Sequence, residues 1–343
     1  MLVTSDIRDN IKYFGGNPES VTITGLSAGG ASVHLHYLSP LSKDLFHRGF
    51  SQSRTSLVPY GLKEYPLKKA EVVGKHLQCP INSTRSMVDC LRNVDGKELM
   101  EAMKQVLVFV EAMPITPFGP VIEKGPEEGG FLAHHPYKLL KEGKTTNDPW
   151  VTSNVRDEGI YPTAFFVATD KLAEMDSRWD ELLPFMLDIQ DTVDGELKKD
   201  VVTKVRKLYL DDEPVSEDNE YAIVRMFSDR HFFIDGEKAA RLHANVSNSS
   251  VYYYFFTYVL QQPFIVPGFR KGVSHCDDGR LLFKMFGTPK RLEAEDEKMV
   301  QLFTEFITSY AKTNKPRFGD KIGAKDLWDS FLIKENDKIT NLL

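Results

Sequence analysis

The stretch VTITGLSAGGASVHLHYL, Val21–Leu38, decides the fold of this chain. Its β-branched beginning, Val21–Thr24, predicts a strand, and a helix is predicted to begin near Gly30. Between them the letters GLSAG, Gly25–Gly29, match the G-x-S-x-G pattern of a nucleophile elbow, in which a serine lies on a tight turn between strand and helix. The pattern in this context predicts that Ser27 is a catalytic nucleophile at the top of a sheet.

The residue types around Ser27 suit such a turn. A nucleophile at a strained backbone position needs neighbours without side chains, and we expect Gly25 and Gly29 to meet that need. Ala28 and Gly30 are expected to keep the approach to the serine open. The helix that follows directs its N-terminus at the site, so the backbone N–H of Ala28 is predicted to bind a developing oxyanion.

The composition describes a globular chain and excludes several classes of protein. Of 343 residues, 41% are apolar and 27% are charged, which supplies ample surface for a core. The net charge of −6 is modest and evenly spread, so we expect neither a nucleic-acid partner nor an anionic membrane. No apolar run reaches the roughly 18 residues of a membrane helix, and Met1–Asn10 lacks the features of a signal peptide.

Short β-rich runs alternate with longer helical stretches along the chain. This alternation predicts an α/β fold with a mostly parallel sheet covered by helices on both faces. The strands are expected at Val21–Thr24, Arg48–Ser51, Trp150–Ser153 and Val251–Tyr258. The helices are expected at Pro66–Leu77, Lys97–Gln105, Asp180–Leu187, Lys198–Tyr209, Asp235–Ala244 and Asp296–Thr313.

The last of these helices carries an apolar stripe. Its large side chains recur at helical spacing and are expected to pack in the core: Met299, Leu302, Phe303 and Phe306. We find no linker between independent domains, so residues 1–343 are predicted to form a single domain. The segments between Gly61 and Pro149 and from Pro263 to Lys271 are candidates for covering a pocket.

The cysteines leave two readings open at this point. Cys79 and Cys90 are close enough in sequence to form a bridge, but they and Cys276 also suit buried thiols of a cytosolic protein. The N-x-S/T sequons favour the secretory pathway and make three glycosylation candidates, Asn82, Asn245 and Asn248.

At this point a family resemblance becomes specific. FGGNPESVTITGLSAGGASVHLHYLSPLSKDLFHRGFSQS, Phe14–Ser53, resembles the signature region of the type-B carboxylesterases, which include cholinesterases and juvenile-hormone esterases. GLSAGG followed by HLHYL is similar to insect α-esterases and venom carboxylesterases. The resemblance runs from about Asp9 to the C-terminus. It implies an α/β-hydrolase fold and a serine carboxylic-ester hydrolase whose partner is a small-molecule ester and which needs no metal or cofactor.

A serine nucleophile needs a base, and the base needs an acid, in the chain order Ser, Asp/Glu, His. Among the nine histidines, His275 lies late in the chain on a loop after a strand. Gly272, His275 and Asp278 also fit the pattern G-x-x-H-x-x-D/E of the resembling family. His275 is therefore predicted to be the base.

The resemblance also implies the acid and several supporting residues. The family has a glutamate followed by glycine just after a sheet strand, which Glu158 matches; adjacent Asp157 is the rival, expected to face the opposite way. Tyr161 matches an aromatic position of the substrate pocket. Cys79 and Cys90 match a disulfide of the family, which supports extracellular or lumenal location. Cys276, beside His275, is interpreted as a buried small residue and not as a nucleophile.

One departure from the family affects the expected activity. The nucleophile of the family lies about a third of the way along the chain, whereas here it is Ser27, and no H-G-G-G-like oxyanion loop occurs in the sequence. We therefore expect the N-terminal part of the sheet to be missing and the chain to be a fragment with little activity, with Ala28 N–H as the remaining oxyanion donor. Two alternatives are a non-catalytic binding or adhesion protein and a stoichiometric trap for esters or organophosphates.

Overall fold

The structure is a computed structural model that describes residues 2–110, 113–123, 130–261, 272–285, 292–317 and 331–335. Within these ranges the strands are β1 (Thr22–Leu26), β2 (Arg48–Gln52), β3 (Trp150–Val155), β4 (Val251–Phe256) and β5 (Phe331–Glu335). They form one sheet in the order β1-β2-β3-β4-β5. The first four strands run parallel and β5 pairs antiparallel with β4.

The helices before β3 are α1 (Leu2–Asn10), α2 (Ala28–Leu38), α3 (Pro66–His76), α4 (Thr84–Leu91), α5 (Gly96–Ala102) and α6 (Pro136–Lys141). Those after β3 are α7 (Ile160–Ala168), α8 (Leu172–Ser177), α9 (Trp179–Met186), α10 (Gly195–Leu210), α11 (Glu220–Ser228), α12 (Ile234–Val246) and α13 (Ala294–Thr313). A π-helical turn, Asp229–Phe233, joins α11 to α12. In the described part of the chain, none of the helices is both long and apolar enough to cross a membrane.

Helix α13 covers one face of the sheet. Its residues Met299, Leu302, Phe303 and Phe306 are buried against aromatic residues of β4, as the apolar stripe predicted. The contacts are close: the rings of Tyr254 and Phe306 lie 5.5 Å apart at nearly right angles. The interpretation of this stripe as core is confirmed.

Helices α2 and α12 cover the other face. Tyr37 of α2 and Ala239 of α12 are buried with Trp150 of β3 and Tyr253 of β4. Strand β4 thus places Tyr253 on this face and Tyr254 on the other, as expected for a strand buried on both sides. The predicted mostly parallel sheet with helices on both faces is confirmed; a missing N-terminal part of that sheet stays a prediction.

The chain divides into two compact units, the first formed by Met1–Gly61, Glu123–Tyr161 and Val224–Leu343 and the second by Leu62–Ile122 and Pro162–Ile223. The first unit contains the whole sheet. The assignment of residues 1–343 to one domain stays a prediction. The pocket-covering segment expected at residues 263–271 lies outside the described residues.

The second unit is helical and carries the disulfide. Cys79 and Cys90 are bonded, with their Cα atoms 5.7 Å apart, so the bridge implied by the family resemblance is present. Lys63 and Asp188 form an ion pair of 3.1 Å between the two segments of this unit. Phe109 and Phe166 stack with ring centroids 5.5 Å apart.

Candidate active site

Ser27 occupies a strained turn between β1 and α2. Its backbone angles are φ 59° and ψ −120°, a combination that few residues with side chains adopt. Hydrogen bonds hold it there: the Ser27 N–H donates to the Gln52 carbonyl at 2.9 Å, and the Ala31 N–H donates to the Ser27 carbonyl at 3.1 Å. The turn that the G-x-S-x-G pattern predicted is thereby fixed to the end of β2.

Two glycines near Ser27 are sterically required. A Cβ atom on Gly25 would lie 2.2 Å from the Gly29 carbonyl oxygen, and one on Gly30 would lie 2.7 Å from the Gln52 carbonyl oxygen. Nothing would meet a Cβ atom on Gly29 within 4 Å. The expectation that Gly29 must lack a side chain is therefore wrong, because it is its backbone that crowds Gly25.

His275 joins the two other residues that the sequence predicted. Its Nε2 atom lies 2.8 Å from the Ser27 Oγ atom, and its Nδ1 atom lies 2.6 Å from the Glu158 Oε2 atom. A carboxylate can only accept at Nδ1, so Nδ1 carries the proton and Nε2 is left to accept from the serine hydroxyl. The structure thus brings a hydroxyl, an imidazole and a carboxylate into one hydrogen-bonded row.

Glu158 is fully buried, and its second oxygen is held by neighbours. The Val155 N–H donates to Oε1 at 3.0 Å, and the Asn154 side-chain amide donates to it at 3.3 Å. Tyr253 in turn donates its hydroxyl to Asn154 at 2.5 Å. These donors stabilise the carboxylate and leave Oε2 for His275.

Asp157, the rival acid, has a different task. Its Oδ2 atom accepts from the Val273 N–H at 2.8 Å and from the Arg156 Nε at 2.9 Å. Its own N–H donates to the Val273 carbonyl at 3.0 Å. Asp157 therefore fastens the loop that carries His275, while Glu158 contacts the imidazole.

Opposing effects act on the base. Burial lowers the pKa of His275, whereas negative charge at Cys276 and at Glu158 raises it, and the net shift from 6.5 is upward. Glu158 is in direct contact with the imidazole, with its Oε2 atom 2.6 Å from Nδ1. Its presence favours the imidazolium that would form if the serine lost its proton.

Asp278 anchors the other end of the His275 loop. It is fully buried, and its Oδ2 atom accepts from the Tyr254 hydroxyl at 2.6 Å and from the Gln52 side chain at 3.0 Å. Burial raises the pKa of Asp278, and these donors oppose the shift. Gly272, three residues before His275, has a φ of 142°, which disfavours other residues. The two outer positions of the G-x-x-H-x-x-D/E pattern thus shape the loop, and His275 alone reaches Ser27.

Aromatic rings border the imidazole. Tyr161 lies with its ring centroid 5.4 Å from that of His275 and is 38% exposed; its place in a substrate pocket stays a prediction. Phe232, which sequence reasoning missed, lies 5.0 Å from His275 on another side. No sequence motif predicts the position of Phe232, because the π-helical turn that contains it has no signature in a single sequence.

Other predicted residues are placed as follows. Ala28 is the first residue of α2, where backbone N–H groups lack partners within the helix. Cys276 has a φ of 79° and is partly exposed, so the expectation that it is buried is wrong. The sequon residues Asn82, Asn245 and Asn248 are exposed. Among the described residues, no group of three or more His, Cys, Asp or Glu is arranged to hold a metal ion.

Comparison with known proteins gives consistent matches. The sequence model described as "Carboxylesterase family" matches residues 6–342. A carboxylic ester hydrolase of Bombus ignitus is 36% identical over 92% of this chain and 56% of its own length. Venom carboxylesterase-6 of Apis mellifera is 36% identical over 88% of this chain and 55% of its own length. The chain thus spans just over half the length of the curated relatives it matches.

A solved structure shares the fold. The juvenile hormone esterase of Manduca sexta, with OTFP covalently attached, superposes with a TM-score of 0.79 at 19% identity, over 93% of this chain and 61% of that one. The predicted α/β-hydrolase fold is confirmed.

Proposed function

This chain belongs to the carboxylesterase family, and from that premise we propose that it cleaves carboxylic esters with Ser27 as the nucleophile, His275 as the base and Glu158 as the orienting acid. The observation that carries the proposal is the hydrogen-bonded row from Ser27 Oγ through the imidazole to the Glu158 carboxylate. The residues of this row come from places 248 and 117 positions apart, so local sequence proximity does not account for it.

The proposed reaction has an acylation half. Ser27 Oγ attacks the ester carbonyl carbon while its proton passes to Nε2 of His275. Glu158 stabilises the resulting imidazolium through Nδ1–H, and the Ala28 N–H binds the oxyanion of the tetrahedral intermediate. The intermediate then collapses: the bond to the alcohol oxygen breaks, and the alcohol leaves with the proton from Nε2.

The deacylation half repeats these steps with water. A water molecule attacks the acyl carbon as His275 takes one of its protons, and the bond to Ser27 Oγ breaks as that proton returns to the serine. The sum is ester plus water to acid plus alcohol. No step requires a metal or a cofactor.

A second candidate is a stoichiometric trap for esters or organophosphates. It differs from the first only in the absence of steady-state product release, because the same attack of Ser27 on the substrate forms the covalent adduct.

The test uses a tagged fluorophosphonate that phosphonylates activated serines. We expect one equivalent to attach to the protein at Ser27, to be lost in Ser27→Ala and to be kept in Ser32→Ala, a matched change at an exposed serine of the same helix. Equal labelling of the Ser27→Ala chain would refute the proposal. A nitrophenyl ester then separates the candidates: a burst with a steady phase supports the hydrolase, and a burst alone supports the trap.

We also propose that the protein passes through the secretory pathway. The bond between Cys79 and Cys90 suits an oxidising compartment, and the relative from Apis mellifera is named a venom enzyme. Expression in insect cells tests this: the proposal predicts a smaller mass after removal of N-linked glycans, located at Asn82, Asn245 or Asn248. An unglycosylated chain retained with free Cys79 and Cys90 would contradict it.

A further inference from the structure

Arg54 lies beside the proposed active site and is not part of the row of Ser27, His275 and Glu158. It follows the end of β2 by two positions and is buried, with 5% of its surface exposed. Its backbone packs against the first turn of α2, because a Cβ atom on Gly30 would lie 3.0 Å from the Arg54 carbonyl oxygen. Residues at the carboxyl ends of parallel strands are placed where α/β folds bind ligands.

The guanidinium of Arg54 is surrounded by aromatic rings. Its Cζ atom lies 5.7 Å from the ring centroid of Tyr60 and 5.1 Å from that of Phe232. The Phe232 ring is also 5.0 Å from the imidazole of His275. One phenyl ring therefore separates a buried cation from the proposed catalytic base.

Within the described part of the chain, this cation is incompletely satisfied. Among the residues that the structure describes, the buried Nε of Arg54 finds no hydrogen-bond partner. Burial lowers the pKa of Arg54, and charge at Tyr60 and Glu158 opposes that shift, yet a guanidinium stays protonated. The two rings attract the cation by cation–π interaction but do not replace the hydration that its N–H groups lose on burial. A group from outside the described protein would relieve this deficit.

We propose that Arg54 binds a carboxylate carried by the ester substrate, so that this site prefers esters with a second, ionised carboxyl group. The inference rests on the proposed function, since it places the anion beside Ser27 and His275. Planar guanidinium donors suit a carboxylate.

The first experiment compares two esters of equal length, 4-nitrophenyl hydrogen succinate and its neutral counterpart 4-nitrophenyl levulinate. The acylation rate of each is measured from the nitrophenolate burst. A hydrogen bond to a charged group contributes about 1.5–3 kcal/mol, so we expect Arg54→Gln to lower the succinate-to-levulinate rate ratio roughly 10- to 100-fold. The control Arg48→Gln, at the other end of β2, should leave the ratio unchanged. A ratio equal in the native and Arg54→Gln chains would overturn the inference.

Arg54→Lys covers the case in which Arg54→Gln does not fold. It keeps the charge but loses the planar donors, so we expect a ratio between those of the native and glutamine chains. A ratio as high as that of the native chain would show that charge alone acts on the ester, and it would overturn the assignment of a carboxylate-binding guanidinium.

A binding measurement separates this inference from the proposed function. Monomethyl succinate is titrated into the Ser27→Ala chain by calorimetry, with methyl levulinate as the neutral reference. We expect the anion to bind at least tenfold more tightly than the ketone, and this preference to vanish when Arg54→Gln is added. Such binding without any acylation of the native chain would support the anion site and refute the esterase. Acylation without the preference for the anion would support the esterase and refute the anion site.

Discussion

Two histidine clusters of the first unit are both buried, but the pKa values of their imidazoles shift in opposite directions. His275 contacts the Glu158 carboxylate, and the net shift of its pKa is upward. His34 and His243 contact each other at 3.2 Å without a carboxylate, and burial lowers the pKa of His243 to about 3. The partner of Nδ1 therefore has more influence than burial on whether a histidine of this fold can take up a proton.

The hydrogen bonds of the second cluster explain its neutrality. The Ser56 N–H donates to His34 Nδ1 at 3.1 Å, so the proton of His34 lies on Nε2 and points to His243 Nδ1. The ring of His34 also stacks on Trp150, with centroids 4.0 Å apart. This cluster holds α2 on the sheet and has no free position for another proton.

Removing the carboxylate that contacts His275 is expected to have the largest effect. We expect Glu158→Gln to slow fluorophosphonate labelling of Ser27 roughly 10³- to 10⁴-fold, because the amide neither fixes the Nδ1–H tautomer nor stabilises the imidazolium. The pH midpoint of labelling should also fall, since the part of the upward shift in the pKa of His275 that Glu158 causes is lost. An unchanged midpoint would refute the role assigned to Glu158.

A change in the second cluster should affect stability instead. His34→Ala leaves a cavity beside Trp150 and an unpaired Ser56 N–H, so we expect the free energy of unfolding to fall by about 3–5 kcal/mol. Urea denaturation measures this loss. At urea concentrations at which the variant is folded, the pH at which Ser27 labelling is half-maximal should match that of the native chain. A shifted midpoint would mean that the two clusters are coupled.

The two clusters should also differ in how they change the free energy of unfolding with pH. The pKa of His243 is lower in the folded chain than in the unfolded one, so its contribution is complete above pH 6.5 and is lost as the pH falls toward 3. Between pH 6.5 and 5 this loss should amount to about 2 kcal/mol. We expect His243→Phe to remove that part of the slope in urea titrations, whereas His275→Phe should not. Equal slopes in all three chains would contradict the neutral assignment of His243.

The smallest expected effect comes from Asp157. Asp157→Asn keeps an oxygen that can accept from the Val273 N–H but loses the ion pair with Arg156, so labelling of Ser27 should slow by less than about tenfold. Glu158→Gln is its matched comparison, with the same chemical change at the adjacent residue. If the two variants slow labelling equally, the assignment of Glu158 as the acid and of Asp157 as a residue that only holds the loop is refuted.

Much of this molecule could be predicted from its sequence because the signals were local. The elbow around Ser27 is a conformational pattern, and the apolar stripe of α13 is a periodic one. The parallel sheet was predicted from the alternation of short β-rich runs with longer helical stretches. Strand β5 and the short helices α1, α4, α6, α7, α8 and α11 were missed, since elements of five to nine residues carry little periodic signal.

The parts of the site that escaped prediction depend on distant contacts. Phe232 approaches His275 from a position 43 residues earlier, and Arg54 meets Phe232 across 178 residues. Arg54 did offer one usable signal, an arginine directly beyond the end of a parallel strand. What sequence alone does not reveal is that its Nε is buried without a partner among the described residues.

The π-helical turn between α11 and α12 amounts to a single extra residue in a longer helix. Upstream, the Ser228 hydroxyl accepts from the Gly159 N–H at 2.9 Å, directly after Glu158; downstream, α12 packs on the sheet. A one-residue deletion within Asp229–Phe233 would restore regular winding but turn the next helical residues by about 100° relative to Ser228. Phe232 would then no longer face His275, so the ring beside the imidazole depends on that one extra residue.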